Sequence, residues 1–305
     1  MPHFIDLNQI NKKELQQILN LAKKLKARKS NAKLSGVNLA MIFEKNSTRT
    51  RVSFEVAMNH LGGHAIVMNQ KDMQLGKGET IADTAKVLSR FVDAIMIRSN
   101  SHQTILELAA NATVPVINAL SDYSHPCQIM ASVMAIEESI GKVNGKKLAW
   151  FGDANNVLNS YIHGALAFGY ELRIATPKEY DFCNIEISEA QKLGAKIKYF
   201  SSAKEAAKNA DVFITDTWFS MGDSSIDNKK MRDKKLKTLM PYQVNQGLVE
   251  LASKNVIFTH CLPAYRGYEV DASVIDSSKS IVFNEAENRL HVQKAILLWC
   301  LNKGR

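Results

Sequence analysis

Ser47-Thr48-Arg49-Thr50-Arg51 sets three hydroxyls and two guanidinium groups side by side. An apolar run, Val37 to Phe43, leads into the stretch through Glu44, Lys45 and Asn46, and an amphipathic pattern, Val52 to Leu61, leaves it. That order reads as strand, polar turn and helix N-terminus. A helix start presents backbone N–H groups without intrahelical partners and a partial positive charge, both of which favour an oxyanion. A helix cap by itself needs one hydroxyl, not three. Arginine forks match phosphate oxygens bidentately, which a solvent-facing lysine does not. The chemistry expected here is capture of a phosphate, most naturally that of a phosphorylated substrate.

Four other clusters carry polar groups in suggestive places. Arg98 closes the apolar run Ala94–Ile97, where a salt bridge would suit it as well as a ligand. His125-Pro126-Cys127-Gln128 opens a helix; its histidine could donate to a carbonyl oxygen and Gln128 offers both donor and acceptor, although plain capping fits too. Gly152-Asp153-Ala154-Asn155-Asn156 sits where a dinucleotide fold carries G-x-G-x-x-G, but only Gly152 is a glycine, which argues against NAD. Its asparagines suit a carboxylate or an amino-acid backbone. Asp216-Thr217-Trp218-Phe219-Ser220-Met221-Gly222 supplies a carboxylate able to hold an α-ammonium group. In His260-Cys261-Leu262-Pro263 the first two residues resemble a nucleophile pair, yet neighbours on a strand point to opposite faces. No zinc-ligand spacing occurs, so no metal is predicted.

These residues need elements to hold them. Val37–Phe43, His64–Met68, Ala94–Arg98 and Val114–Ala119 read as strands, with helical patterns at Thr50–Leu61, Thr80–Phe91 and Gln103–Ala110 between them. Asn11 and Glu14 form a capping box for an earlier helix. After a long helix at Gln128–Ile140 the alternation resumes: strands at Lys147–Phe151, Glu171–Ala175, Lys196–Phe200, Asp211–Thr215 and Val256–Thr259, then a last helix from Glu285 to Leu301. Alternation of this kind means parallel sheets wrapped by helices. The expected fold is α/β, with two doubly wound domains, each a parallel β-sheet flanked by helices. Residues 1–141 form one domain and 142–285 the other, with helix 286–305 packing back on the first. Ligands of open α/β sheets lie beyond the carboxyl ends of strands, and every polar cluster falls there. The active site is accordingly expected in the interdomain cleft.

At 305 residues, 46% hydrophobic and 23% charged, the chain has the composition of a soluble globular protein. Its net charge of +9 is spread out, and the densest run, Lys229 to Lys237, is interrupted by Met231, Asp233 and Leu236. An anionic small molecule is therefore a better expected partner than nucleic acid. Cys127, Cys183, Cys261 and Cys300 are widely spaced. Together with the lack of an N-terminal signal pattern, this predicts free thiols in the cytoplasm. No apolar run reaches the roughly 18 residues a membrane span needs, so no membrane association is expected.

Ser-Thr-Arg-Thr-Arg at 47–51, His-Pro-Cys-Gln at 125–128, Asp-Thr-Trp-Phe-Ser-Met-Gly at 216–222, His-Cys-Leu-Pro at 260–263 and Asn-Arg-Leu-His at 288–291 together resemble the transcarbamylase family. The motifs stand in the family's order and span nearly the whole chain. The resemblance implies transfer of the carbamoyl group of carbamoyl phosphate to the δ-amine of L-ornithine, giving L-citrulline and phosphate without a cofactor. Putrescine, N-acetylornithine or aspartate are the alternative acceptors; aspartate would call for cationic groups around its second carboxylate. By match to the family, Ser47, Thr48, Arg49 and Thr50 hold phosphate, and Gln74 reaches the site from a neighbouring subunit of a homotrimer. Arg98, His125 and Gln128 contact the carbamoyl group, and Arg289 completes that site. Cys261 and Leu262 lie where amine and carbamoyl group meet, while Asn156, Asp216, Ser220 and Met221 bind ornithine. Arg98, His125 and Cys261 are the expected catalytic residues. One departure stands out: Tyr265-Arg266-Gly267 replaces the family's usual His-Arg-Gly. A tyrosine cannot titrate near neutrality, so no proton transfer is expected at that position.

Overall fold

Strand ends and polar clusters coincide in the computed structural model, which describes residues 2–73, 78–181, 184–219 and 228–302. Two compact units emerge: Met1–Ala131 with Glu287–Arg305, and Ser132–Ala286.

In the first unit, strands β1 (Asn38–Phe43), β2 (His64–Asn69), β3 (Ala94–Arg98) and β4 (Val116–Leu120) form a parallel sheet in the order β2-β1-β3-β4. Helices α1 (Lys12–Lys26), α2 (Thr48–Leu61), α3 (Ile81–Leu88) and α4 (His102–Asn111) belong to the same unit. The Asn11 side chain accepts from Glu14 N–H at 2.9 Å and donates to the Glu14 carboxylate, the capping box read from the sequence. Beneath α3 and α4 a core cluster joins Ala40 and Ile42 of β1 to Ile95 and Ile97 of β3, Ala85, Leu88, Ile105 and Leu108. Helix α2 ends at Gly62, whose φ of +77° is the left-handed conformation that a helix stop favours and a side chain disfavours.

Helix α5 (Pro126–Ile140) leads out of the first unit. In the second unit β5 (Lys147–Phe151), β6 (Glu171–Ala175), β7 (Lys196–Tyr199), β8 (Val212–Thr215) and β9 (Ile257–His260) form a parallel sheet in the order β7-β6-β5-β8-β9. Its helices are α6 (Asn156–Phe168), α7 (Asn184–Lys192), α8 (Ala203–Ala207), α9 (Lys229–Leu239), α10 (Gln246–Val249) and α11 (Ala272–Ile275). Helix α12 (Val282–Cys300) brings the chain back, and from Glu287 onward it belongs to the first unit. There Lys26 Nζ donates to Asn288 Oδ1 at 2.7 Å and the Phe4 and Trp299 rings meet edge to face at 6.2 Å.

Three helices, α7, α9 and α11, have no counterpart in the periodicity reading. In α9, Lys-Lys-Met-Arg-Asp-Lys-Lys-Leu-Lys-Thr-Leu, apolar positions are too few to mark a buried stripe, so only its packing reveals it. Helix α6 starts at Asn156, ahead of its first strongly periodic residues, because Asn155 Oδ1 accepts from the N–H groups of Val157 and Leu158.

Candidate active site

Both sheets reverse their direction of growth once, and the polar clusters sit at those two points. In the first sheet the reversal lies between β1 and β3, in the second between β5 and β8. At such a switch point the two following loops diverge and leave space beyond the strand ends.

In the first unit the register pairs Phe43 of β1 with Arg98 of β3, so Arg98 stands level with the loop that enters α2. Glu44 fixes that loop: its carboxylate accepts from Ser99 Oγ and Asn100 N–H, each at 2.7 Å. Ser47 is the N-cap of α2, and its Oγ accepts from Thr50 N–H and from Arg98 Nη1, both at 3.3 Å. Thr50 is fully buried, and its Oγ1 accepts from Arg289 Nη2 at 2.6 Å, which ties α12 to α2. A hydroxyl that accepts from a guanidinium turns its own proton elsewhere. Ser47 and Thr50 are thus set as donors, the role an anion asks of them. Thr48 is exposed, and Arg49 lies in the first turn of α2.

His125 precedes α5 and is buried. The segment before it is pinned by Asn118, whose Nδ2 donates to Ile5 O and Ser124 Oγ, each at 3.0 Å, and by Ser124 N–H donating to Ser121 Oγ. Burial, then the charges of Arg289, Arg98 and Arg49, hold His125 well below the ordinary histidine range, so the ring is neutral near pH 7. Three guanidinium groups whose charge reaches one neutral imidazole, together with the N-terminus of α2, make this region electropositive. Gln128 is buried one turn into α5. Cys127, also buried, has its thiol pushed up to about 12 by desolvation and donates to Asn118 O at 3.4 Å, so it packs and does not react.

In the second unit Thr215 of β8 is paired with His260 of β9, which sets Asp216 beside Cys261. The Asp216 carboxylate, 8% exposed, accepts from Asn155 Nδ2 (2.7 Å), Thr217 N–H (2.7 Å) and Cys261 Sγ (3.0 Å). Asn155 thereby caps α6 with its oxygen and holds Asp216 with its nitrogen. Asn156 is the first residue of α6, partly exposed. His260 is held by two other contacts: its Nδ1 accepts from Leu262 N–H at 2.8 Å, and its Nε2 faces Glu269 at 3.4 Å. The first bond places the proton on Nε2. It also holds Leu262 at φ +58°, an uncommon conformation for a branched side chain. Donor atoms of Asp216, His260 and Cys261 lie within 4.8 Å of one another. With the His260 lone pair used by Leu262 N–H, the three do not form a ready metal cage. Tyr265 stacks on Tyr268, and its backbone N–H donates to Glu269.

Of the residues expected from sequence, Ser47, Thr50, Arg98 and Arg289 are joined by hydrogen bonds, with His125 inside the field of Arg49, Arg98 and Arg289. Asp216 and Cys261 meet directly. Gln74, Ser220 and Met221 lie outside the described residues. The sequence offers Asn155 as a ligand contact, whereas its oxygen caps α6 and its nitrogen donates to Asp216. Glu44 and Glu269 have no role in the sequence reading, and nothing local marks them.

Fold and site define a doubly wound α/β protein with a capped helix start and a cluster of arginines at one switch point and a carboxylate–thiol pair at the other. Residues 2–138 match the aspartate/ornithine carbamoyltransferase carbamoyl-P binding domain, and residues 144–300 match the Asp/Orn binding domain of the same family. The chain belongs to the aspartate/ornithine carbamoyltransferase family. It is 53% identical to ornithine carbamoyltransferase of Rhodopseudomonas palustris, over 98% of this chain and 96% of that one. Among solved structures, the anabolic ornithine carbamoyltransferase of Campylobacter jejuni superposes with a TM-score of 0.92 at 41% identity, covering 99% of both chains. The Pyrococcus furiosus ornithine carbamoyltransferase gives 0.90 at 46% identity, covering 97% of this chain and 96% of that one.

Proposed function

We propose that the chain transfers the carbamoyl group of carbamoyl phosphate to the δ-amine of L-ornithine, releasing L-citrulline and phosphate. The observation that carries this reading is the convergence of Arg49, Arg98 and Arg289 on a neutral, buried His125 beside the capped start of α2. Full-length relatives that carry the name ornithine carbamoyltransferase support ornithine as the acceptor. Residues 1–141 with helix 286–305 bind carbamoyl phosphate in this reading, and 142–285 bind ornithine.

Phosphate is held by Ser47, Thr48, Arg49 and Thr50, by Gln74 of a neighbouring subunit, and by Arg98 and Arg289. His125 and Gln128 contact the carbamoyl oxygen and amide, with Cys261 and Leu262 at its other side. As the amine attacks, negative charge grows on the carbamoyl oxygen, and Arg98 and the neutral His125 donate to it. A neutral imidazole adds a donor without adding charge to a crowded cationic pocket. The leaving phosphate gathers charge against Arg49 and the N-terminus of α2. On the acceptor side a free alkylamine titrates near about 10, so the attacking δ-amine must shed a proton. Asp216, Asn156, Ser220 and Met221 hold ornithine, the carboxylate pairing with its ammonium, and Cys261, fixed to Asp216, orients the neutral amine.

Assembly as a homotrimer belongs to the reading. A cytoplasmic setting is supported by the absence of disulfides at Cys127, Cys261 and Cys300. No described helix is long and apolar enough to cross a membrane. A steady-state assay of citrulline formation tests the activity. Turnover with putrescine, N-acetylornithine or aspartate, and none with ornithine, would overturn the choice of acceptor.

A further inference from the structure

Helix α9 looks from its sequence like a solvated lysine face, yet two of its cations are turned inward on one ring. Arg232 Cζ lies 5.7 Å and Lys235 Nζ 5.6 Å from the centroid of Phe219. The two residues are three apart, hence neighbours on the helix surface, and both reach the same ring. Each also reaches a second aromatic side chain. Arg232 lies 5.8 Å from the Tyr268 centroid and donates to its hydroxyl at 2.6 Å; Lys235 lies 5.3 Å from the Tyr180 centroid. Lys235 Nζ pairs in addition with Asp153 Oδ2 at 2.8 Å, and the two side chains are only 12% and 15% exposed.

These contacts close a ring through the acceptor-side residues. Lys235 holds Asp153, in the loop after β5, and Phe219, in the segment after β8. Two residues beyond Asp153, Asn155 donates to Asp216; three residues before Phe219, Asp216 accepts. The two loops already touch, for a Cβ added at Gly152 would sit 2.5 Å from Trp218 Nε1, and Trp218 is buried between Asp216 and Phe219 in sequence. Any shift of Asp153 or Phe219 therefore passes through short, stiff chain segments to Asn155 and Asp216.

We infer that Lys235 is a positioning residue for the amine acceptor: by bridging Asp153 and Phe219 it fixes where the Asp216 carboxylate and its Asn155 partner stand. The inference rests on the assignment of Asp216 to ornithine binding. It does not require Lys235 to touch substrate. A partly buried ammonium that joins a carboxylate to two ring faces combines ion pairing with cation–π attraction, and removing it deletes all three contacts at once.

The test compares Lys235→Met, Lys235→Arg and Asp153→Asn in full kinetics, with carbamoyl phosphate affinity by calorimetry and thermal unfolding on the same samples. Misplacing a binding group by about 1 Å costs up to about 100-fold, so kcat/KM for ornithine should fall about 10- to 100-fold in Lys235→Met, chiefly through KM. Asp153→Asn should change it in the same direction. Lys235→Arg, which keeps the charge and the ring contacts, should recover most of the loss, and carbamoyl phosphate affinity should stay at the wild-type value in all three. Unchanged ornithine kinetics in Lys235→Met and Asp153→Asn would overturn the inference. So would an equal loss of carbamoyl phosphate affinity, which would mean a general loss of structure. If Lys235→Met does not fold, Asp153→Asn carries the decision. Asp216→Asn separates the two levels: a raised ornithine KM there with a normal one in the other variants removes Lys235 only, whereas a normal KM in Asp216→Asn removes the acceptor-site assignment itself.

Discussion

Replacing His125 with phenylalanine keeps a ring of similar shape and deletes both nitrogens. His125 is 3% exposed, and the phenyl ring fills the space a replacement water would need. In such dry sites one oxyanion donor is worth about 2.7–4 kcal/mol of barrier, or roughly 100- to 1,000-fold in kcat. The larger figure is expected here, because Arg98 alone then faces the growing charge. Stopped assays of citrulline formation at saturating substrates read the effect directly; a loss smaller than about tenfold would refute the donor role, being less than one hydrogen bond of this kind supplies. The protonation state is tested separately. Burial and the arginines Arg289, Arg98 and Arg49 depress the His125 pKa, so its NMR signal should not titrate between pH 6 and 8. Unfolded histidine binds a proton near about 6.5 while folded His125 does not, so its contribution to stability is full above that pH. As pH falls below about 6.5 stability should decline by up to about 1.4 kcal/mol per pH unit, until the folded pKa is reached. A His125 resonance that titrates near neutrality would contradict the electrostatic account of the pocket.

Arg49→Ala should abolish carbamoyl phosphate binding in calorimetry while far-UV circular dichroism stays native; unchanged affinity would remove Arg49 from the phosphate site. Thr50→Val strands a buried Arg289 N–H that now donates at 2.6 Å, which should lower stability by about 1–3 kcal/mol in urea titrations. An undiminished midpoint would mean that the bond carries no net stabilisation. Cys261→Ala frees one lone pair of Asp216, so ornithine saturation should weaken while carbamoyl phosphate affinity is retained. Normal ornithine kinetics would rule out its orienting role.

Sequence alone determined the parts of this protein whose physics is local. Apolar runs separated by helical periodicity marked parallel strands within a residue or two of β1, β3 and β5, because buried parallel strands are almost continuously apolar. Asn11 and Glu14 could be read as a capping box because capping involves residues three apart. The hydroxyls and arginines of residues 47–51 were legible for the same reason: they follow one another in the chain. Strand order, in contrast, is set by which apolar faces bury best against each other, and no stretch of sequence states it. That order alone puts Arg98 beside Ser47 and Asp216 beside Cys261, across 51 and 45 positions of chain. Tertiary packing also decided that Arg289, 239 positions from Thr50, would donate to the Thr50 hydroxyl at the start of α2. It made α9, a run that reads as solvated lysines, into a clamp on Phe219. The reason is common to all four: long-range contacts are chosen by burial and charge in three dimensions, where separation along the chain no longer counts.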